Sequence, residues 1–185
     1  PYLVTLGDEV TISGIISEYY GWTELSLGST ADVTVTGQGT VPAAADLDDG
    51  SGADWEAYES VLVSLSNQTV DSINAYNTGH LSSGINLDDG FLYLDFDCGG
   101  SFSSLTGIVF YEYEEHSLNP RTEEDLVGYA PGASQNAHIS DIQGGSICGS
   151  VDLQGLVVTV DSWDDADGTT FYVQEPGQQE NGGLA

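Results

Sequence analysis

Four acidic loops that also carry glycine hold the strongest chemical signal in the chain. They contain Asp46, Asp48, Asp49 and Asp54; Asp88 and Asp89; Asp95 and Asp97; and Asp161, Asp164, Asp165 and Asp167. Ca2+ takes six to eight hard oxygens at about 2.3 to 2.6 Å, and aspartates interspersed with glycine let a short loop wrap them. These carboxylates are therefore the candidate metal ligands, and Ca2+ is the expected cofactor. None of the loops follows the EF-hand pattern: that frame over Asp165–Gly168 begins on Trp163, and no Glu closes it. The competing reading is a set of solvated turns, where Asp-Gly is favoured for its backbone preferences.

Other residue types point away from catalysis. His80, His116 and His138 are widely spaced and share no metal-ligand pattern. There is no Gly-x-Ser-x-Gly elbow, no phosphate loop and no Lys, so the chain is expected not to be an enzyme. Arg121, the one basic residue besides the histidines, is expected to pair with a neighbouring carboxylate. Tyr19, Tyr20, Trp22, Tyr111 and Tyr113 could form a ligand-stacking face, or pack in a core or between subunits. Cys98 and Cys148 are the only cysteines and are expected to be disulfide-bonded in an exported chain. Asn67-Gln68-Thr69 is a candidate glycosylation sequon.

The charge narrows the function classes. Thirty acids stand against one Arg, for a formal net charge of −29 over 185 residues. Such a chain cannot neutralise a phosphate backbone, so nucleic acid is not an expected partner. It cannot dock on anionic lipid either. No apolar run approaches the roughly 18 residues that span a bilayer, so membrane insertion is not expected. Hydrophobic residues at 39% and aromatics at 10% are enough for a core, which argues against disorder. The absence of Lys and Met, with 24 Gly, has the character of an exported protein. The opening Pro1 fits a removed leader or a segment of a longer chain. A halophilic source would also account for the acid excess.

The elements that must position these residues are strands. Val10–Ile16, Val33–Val35, Val61–Leu65, Phe91–Phe96, Leu105–Tyr113 and Leu156–Val160 are short, β-branched or aromatic, and bounded by Gly, Asp or Asn. Thr122–Leu126 reads as one turn of helix capped by Thr122. An internal repeat emerges. Ile12–Leu25 aligns without gaps on Leu105–Leu118, with Gly14 on Gly107 and Ile15 on Ile108. Tyr58–Leu65 resembles Leu153–Val160. The middle of the chain thus reads as a front half followed by a back half, whereas the N-terminal segment is a back half alone and the C-terminal segment a front half alone.

The segments Gly7–Gly14, Glu18–Leu25, Glu56–Val63, Ser104–Arg121, Ile139–Gln143 and Phe171–Glu175 resemble the OB-fold modules of secreted bacterial and archaeal nucleases. The nuclease catalytic motifs are absent. The resemblance implies an all-β chain of two small five-stranded OB-like Greek-key barrels, one of them split. The implied organisation is a back half over 1–45, a complete barrel over 55–127, a connector over 128–150 and a front half over 151–185. Half a barrel exposes an apolar face and unpaired edges, so the halves must meet. They can close within one chain, or in a covalent array, or the tail of one copy can complete the head of the next. The last arrangement gives a fibre. Leu156, Val158, Val160, Phe171 and Val173 are then expected to pack beside Ile12, Ile15 and Ile16 of a neighbour. The expectation is an extracellular or cell-surface filament or array subunit, calcium-stabilised, with copies of itself as partners. The alternatives are a secreted module binding a glycan or protein, or an accessory region of a secreted nuclease.

Overall fold

The computed structural model describes residues 4–144, 147–165, 168–180 and 182–184, without side chains for 163–168. Strands account for 46% of the structure and there is one α-helix among the described residues, so the all-β expectation holds. In chain order the strands are β1 (Asp8–Ile12), β2 (Ile15–Tyr19), β3 (Trp22–Ser26), β4 (Val33–Gln38) and β5 (Ala45–Asp46). Then follow β6 (Leu62–Ile73), β7 (Gly79–Leu81), β8 (Asn86–Leu87), β9 (Ser101–Glu112), β10 (Glu115–Asn119) and β11 (Leu126–Val127). After the barrel come β12 (Gln135–Asn136), helix α1 (Ile139–Gln143), β13 (Val151–Asp152), β14 (Val157–Asp165), β15 (Gly168–Gln174) and β16 (Gly183–Leu184).

The middle of the chain closes into a five-stranded barrel with ring order β6-β7-β8-β10-β9, returning to β6. All neighbours are antiparallel except β8 and β10. Alternation along the long strands supplies the interior: Val63, Leu65 and Val70 of β6 face Leu105 and Val109 of β9, all fully buried. Gly107 lets β10 approach β9 closely, because a Cβ there would lie 2.7 Å from the Asn119 carbonyl oxygen. Buried Gln68 is satisfied by the backbone: its amide donates to the Asp49 and Ser66 carbonyls at 2.9 and 2.8 Å and accepts from the Ser83 amide.

Phe91–Phe96 is not a strand, contrary to its alternating pattern. Leu94 and Phe96 instead bury in the barrel core while their backbone leaves the ladders, and Asn77 donates to the Leu94 carbonyl at 3.1 Å. Alternate burial here comes from sealing the barrel, not from a pleat. The expected helical turn is a 3-10 turn at Glu123–Asp125 with Thr122 in the cap position, but the Thr122 side chain makes no cap bond. Asp125 instead ties the turn back onto the residue before the cap. It accepts from the Arg121 amide at 2.9 Å and pairs with the guanidinium at 2.9 and 2.8 Å, the carboxylate pairing expected for Arg121.

The Cys98–Cys148 disulfide is present, with Cα atoms 5.6 Å apart and a sequence separation of 50. It ties the buried base of the barrel to the connector before β13. On the other side, the β2–β3 hairpin leans on the barrel. Trp22 stacks on Phe110 with ring centroids 4.9 Å apart, and its indole donates to the Ser60 hydroxyl. No helix among the described residues is long and apolar enough to cross a membrane.

Candidate assembly site

The N-terminal segment reproduces the second half of the barrel, pairing for pairing. Ile12 lies opposite Val33 as Leu105 lies opposite Leu126, each residue 93 positions from its counterpart. Ile15 opposite Ser26, Ile16 opposite Leu25 and Tyr19 opposite Trp22 repeat Ile108–Asn119, Val109–Leu118 and Glu112–Glu115. The hairpin tips match as well, with Tyr20 and Tyr113 at φ 52° and 54°. The close approach at glycine recurs as well, since a Cβ on Gly14 would lie 2.6 Å from the Ser26 carbonyl oxygen.

The C-terminal segment reproduces the first half. Val151 pairs in parallel with Gln135 as Val63 pairs with Ala45, and Val158 faces Val173 as Val70 faces Leu81. Val151 and Val158 both lie 88 positions after Val63 and Val70, while their partners Gln135 and Val173 lie 90 and 92 positions after Ala45 and Leu81. A bulge follows Val158 as one follows Val70, and the intervening left-handed residues coincide: Asn67 at φ 52° and Gly155 at φ 72°. The register therefore sets Leu153 on Leu65 and Val158 on Val70. The match of Leu153–Val160 to Tyr58–Leu65 read from the sequence is seven positions out of step with it. Val160 then corresponds to exposed Ser72 rather than to a core position.

What differs between the copies is the partner. Ile12, Ile16 and Leu25 are 46%, 75% and 43% exposed, while Leu105, Val109 and Leu118 in the equivalent positions are all 0%. Val158 is 55% exposed against 0% for Val70. Ile15, Val160 and Phe171 are also exposed, and Leu156 and Val173 are half-buried. Burying a full aliphatic side chain is worth about 1.5 to 3 kcal/mol, so the faces that carry Ile12, Ile16, Leu25 and Val158 are apolar surfaces without their cover. The missing seam is the β6–β9 ladder, which in the barrel runs from Leu62–Ile108 to Thr69–Ser101. Among the described residues no ladder joins β1–β4 to β12–β16.

The acidic loops are arranged differently. Asp46 and Asp49 accept from the backbone amides of Asp48 and Ser51, and Asp88 from that of Asp89, so these carboxylates shape their own turns. Asp97 bonds Tyr129, whose hydroxyl accepts from the Asp97 amide at 2.8 Å. Burial, then the nearby Asp97 and Asp95 carboxylates, hold the Tyr129 phenol above its usual range. Asp54, Asp95 and Asp161 are exposed. Among the described residues no three His, Cys, Asp or Glu side chains converge to hold a metal. The side chains of Asp164, Asp165 and Asp167 lie outside the described residues. Asn67 is exposed on its left-handed turn, open to the solvent.

The aromatic residues do come together. Tyr19, Tyr20, Trp22, Tyr111 and Tyr113 line a cleft of about 670 Å3 between the two hairpin tips, with Glu24, Glu112 and Glu114. Comparison of the chain with known protein families, curated proteins and solved structures returns no significant match.

Proposed function

We propose that this chain is the subunit of an extracellular filament or surface array, assembled head to tail by strand complementation between OB-like barrels. One observation carries the reading: apolar positions that the intact barrel buries completely recur, with the same strand pairings, on two open half-barrels at opposite ends of the chain. The ring order of the middle barrel, with its single parallel pair between the third and fifth strands, supports the OB-like description. A front half at one end and a back half at the other form a heterologous contact, which propagates unless its rotation closes a ring. The disulfide supports an oxidising, extracellular setting. Ca2+ belongs to the proposal as the counter-ion of a subunit with a formal charge of −29, whose copies otherwise repel.

Deletion of residues 151–185 tests the reading. The shortened chain should form no fibres, and a peptide of that segment should cap growth of the full chain at one end. Fibres from the shortened chain would sink the proposal. A second reading, a secreted module binding a glycan or protein, draws on the aromatic cleft, where exposed tyrosines stand beside carboxylates able to accept hydrogen bonds. Titration with soluble oligosaccharides, followed by Trp22 fluorescence, tests it.

A further inference from the structure

Resting on that reading, the intact barrel supplies the register of the contact between subunits. We infer that residues 150–157 of a second copy run antiparallel along 8–15 of the first, with Leu153 opposite Ile12 and Val151 opposite Gly14. The template is the β6–β9 ladder, where Leu65 lies opposite Leu105 and Val63 opposite Gly107. Residue 151 takes the place of 63 and residue 12 that of 105, by pairings that are independent of each other.

Three features fit this occupant. The open edges correspond. In the barrel, β6 uses one edge for β5 and β7 and the other for β9, and among the described residues β13 and β14 carry only β12 and β15. Likewise β9 uses one edge for β10 and β11, and among the described residues β1 and β2 carry only their counterparts β4 and β3. The close approach at glycine corresponds, because a Cβ on Gly14 or on Gly107 would meet the carbonyl of the equivalent paired residue, Ser26 or Asn119, and the position opposite Val151 carries no side chain. Composition corresponds too, since Val151, Leu153 and Val158 repeat the apolar Val63, Leu65 and Val70 that face the core. A slip of one residue would turn Leu153 and Ile12 to opposite faces, so the register is sharply specified.

Cross-linking of the full chain reads the register directly. The parent has no free cysteine. Thr11→Cys and Gln154→Cys, at exposed positions equivalent to the facing Ser104 and Ser66, are prepared as separate variants, mixed, assembled and mildly oxidised. A covalent dimer should form in the mixture and in neither variant alone. Ile15→Cys with Ser150→Cys, equivalent to Ile108 and Leu62, should behave the same way. Thr11→Cys with Leu153→Cys is one residue out of step and should not cross-link. Fibres by electron microscopy with cross-links only in the slipped pair overturn this register and leave the filament reading standing. No fibres and no cross-links overturn both. A double variant Thr11→Cys/Gln154→Cys that closes within single chains and gives no ladder overturns the second copy as the occupant.

Discussion

Two equivalent apolar residues should respond to truncation in different currencies, because one has its cover within the subunit and the other gains it on assembly. Leu105 is fully buried in the barrel, so Leu105→Ala should destabilise the isolated subunit by about 2 to 5 kcal/mol. Ile12 occupies the same position in the split barrel but is 46% exposed. Ile12→Ala should therefore cost the subunit only about 1 kcal/mol, from the part already covered by its own segment. The remainder appears on polymerisation. Of a core truncation worth about 2 to 5 kcal/mol, about 1 to 4 kcal/mol is then left for assembly, which at about 1.4 kcal/mol per decade raises the critical concentration by about 5-fold to several hundred-fold. Urea titration of dispersed subunits gives the first number, and the concentration left in the supernatant after pelleting gives the second. The reasoning fails if Ile12→Ala unfolds the dispersed subunit as readily as Leu105→Ala, or if the critical concentration does not move.

Reduction of Cys98–Cys148, which closes a loop of 50 residues, should lower stability by about 3 to 4 kcal/mol in the chain-entropy model; thiol labelling of unfolded, unreduced protein should find no reactive cysteine. EGTA at fixed ionic strength should lower the melting temperature or shorten the fibres, with Ca2+ restoring them, whereas an unchanged melt would leave only charge screening by salt. Burial tends to raise the Asp125 carboxyl, but the bonds and charge of Arg121 outweigh it and hold the group below its ordinary 3.8. The pair's contribution is then fully present above that value and lost as pH falls through the lowered one. Asp125→Asn should cost about 1 to 2 kcal/mol at neutral pH, discounted for the partly exposed Arg121, and the gap from the parent should close in acid; a gap constant with pH would contradict this.

The legible parts of the fold were those with a fixed local period. The match of Ile12–Leu25 to Leu105–Leu118 holds residue for residue because both copies have the same hairpin length and the same close approach at glycine. The front half was harder to place. Val-Leu-Val-Ser-Leu and Leu-Val-Val-Thr-Val are short apolar runs that slide over one another, while the true register is pinned by a left-handed residue, Asn67 or Gly155, and by the bulge after it. Neither device leaves an apolar signature. The Phe91–Phe96 alternation misleads for a related reason: it records which side chains enter the barrel and carries no information about backbone pairing. In the acidic loops, the aspartate spacing suited to a cation also suits backbone turns, and Asp46, Asp49 and Asp88 are engaged in the latter.

Electron microscopy of the purified full chain over a range of concentrations tests the central claim most directly. The account predicts unbranched fibres that appear above a threshold concentration and are built from one repeating barrel-sized unit. Uniform single particles at every concentration, with or without Ca2+ and salt, would contradict it.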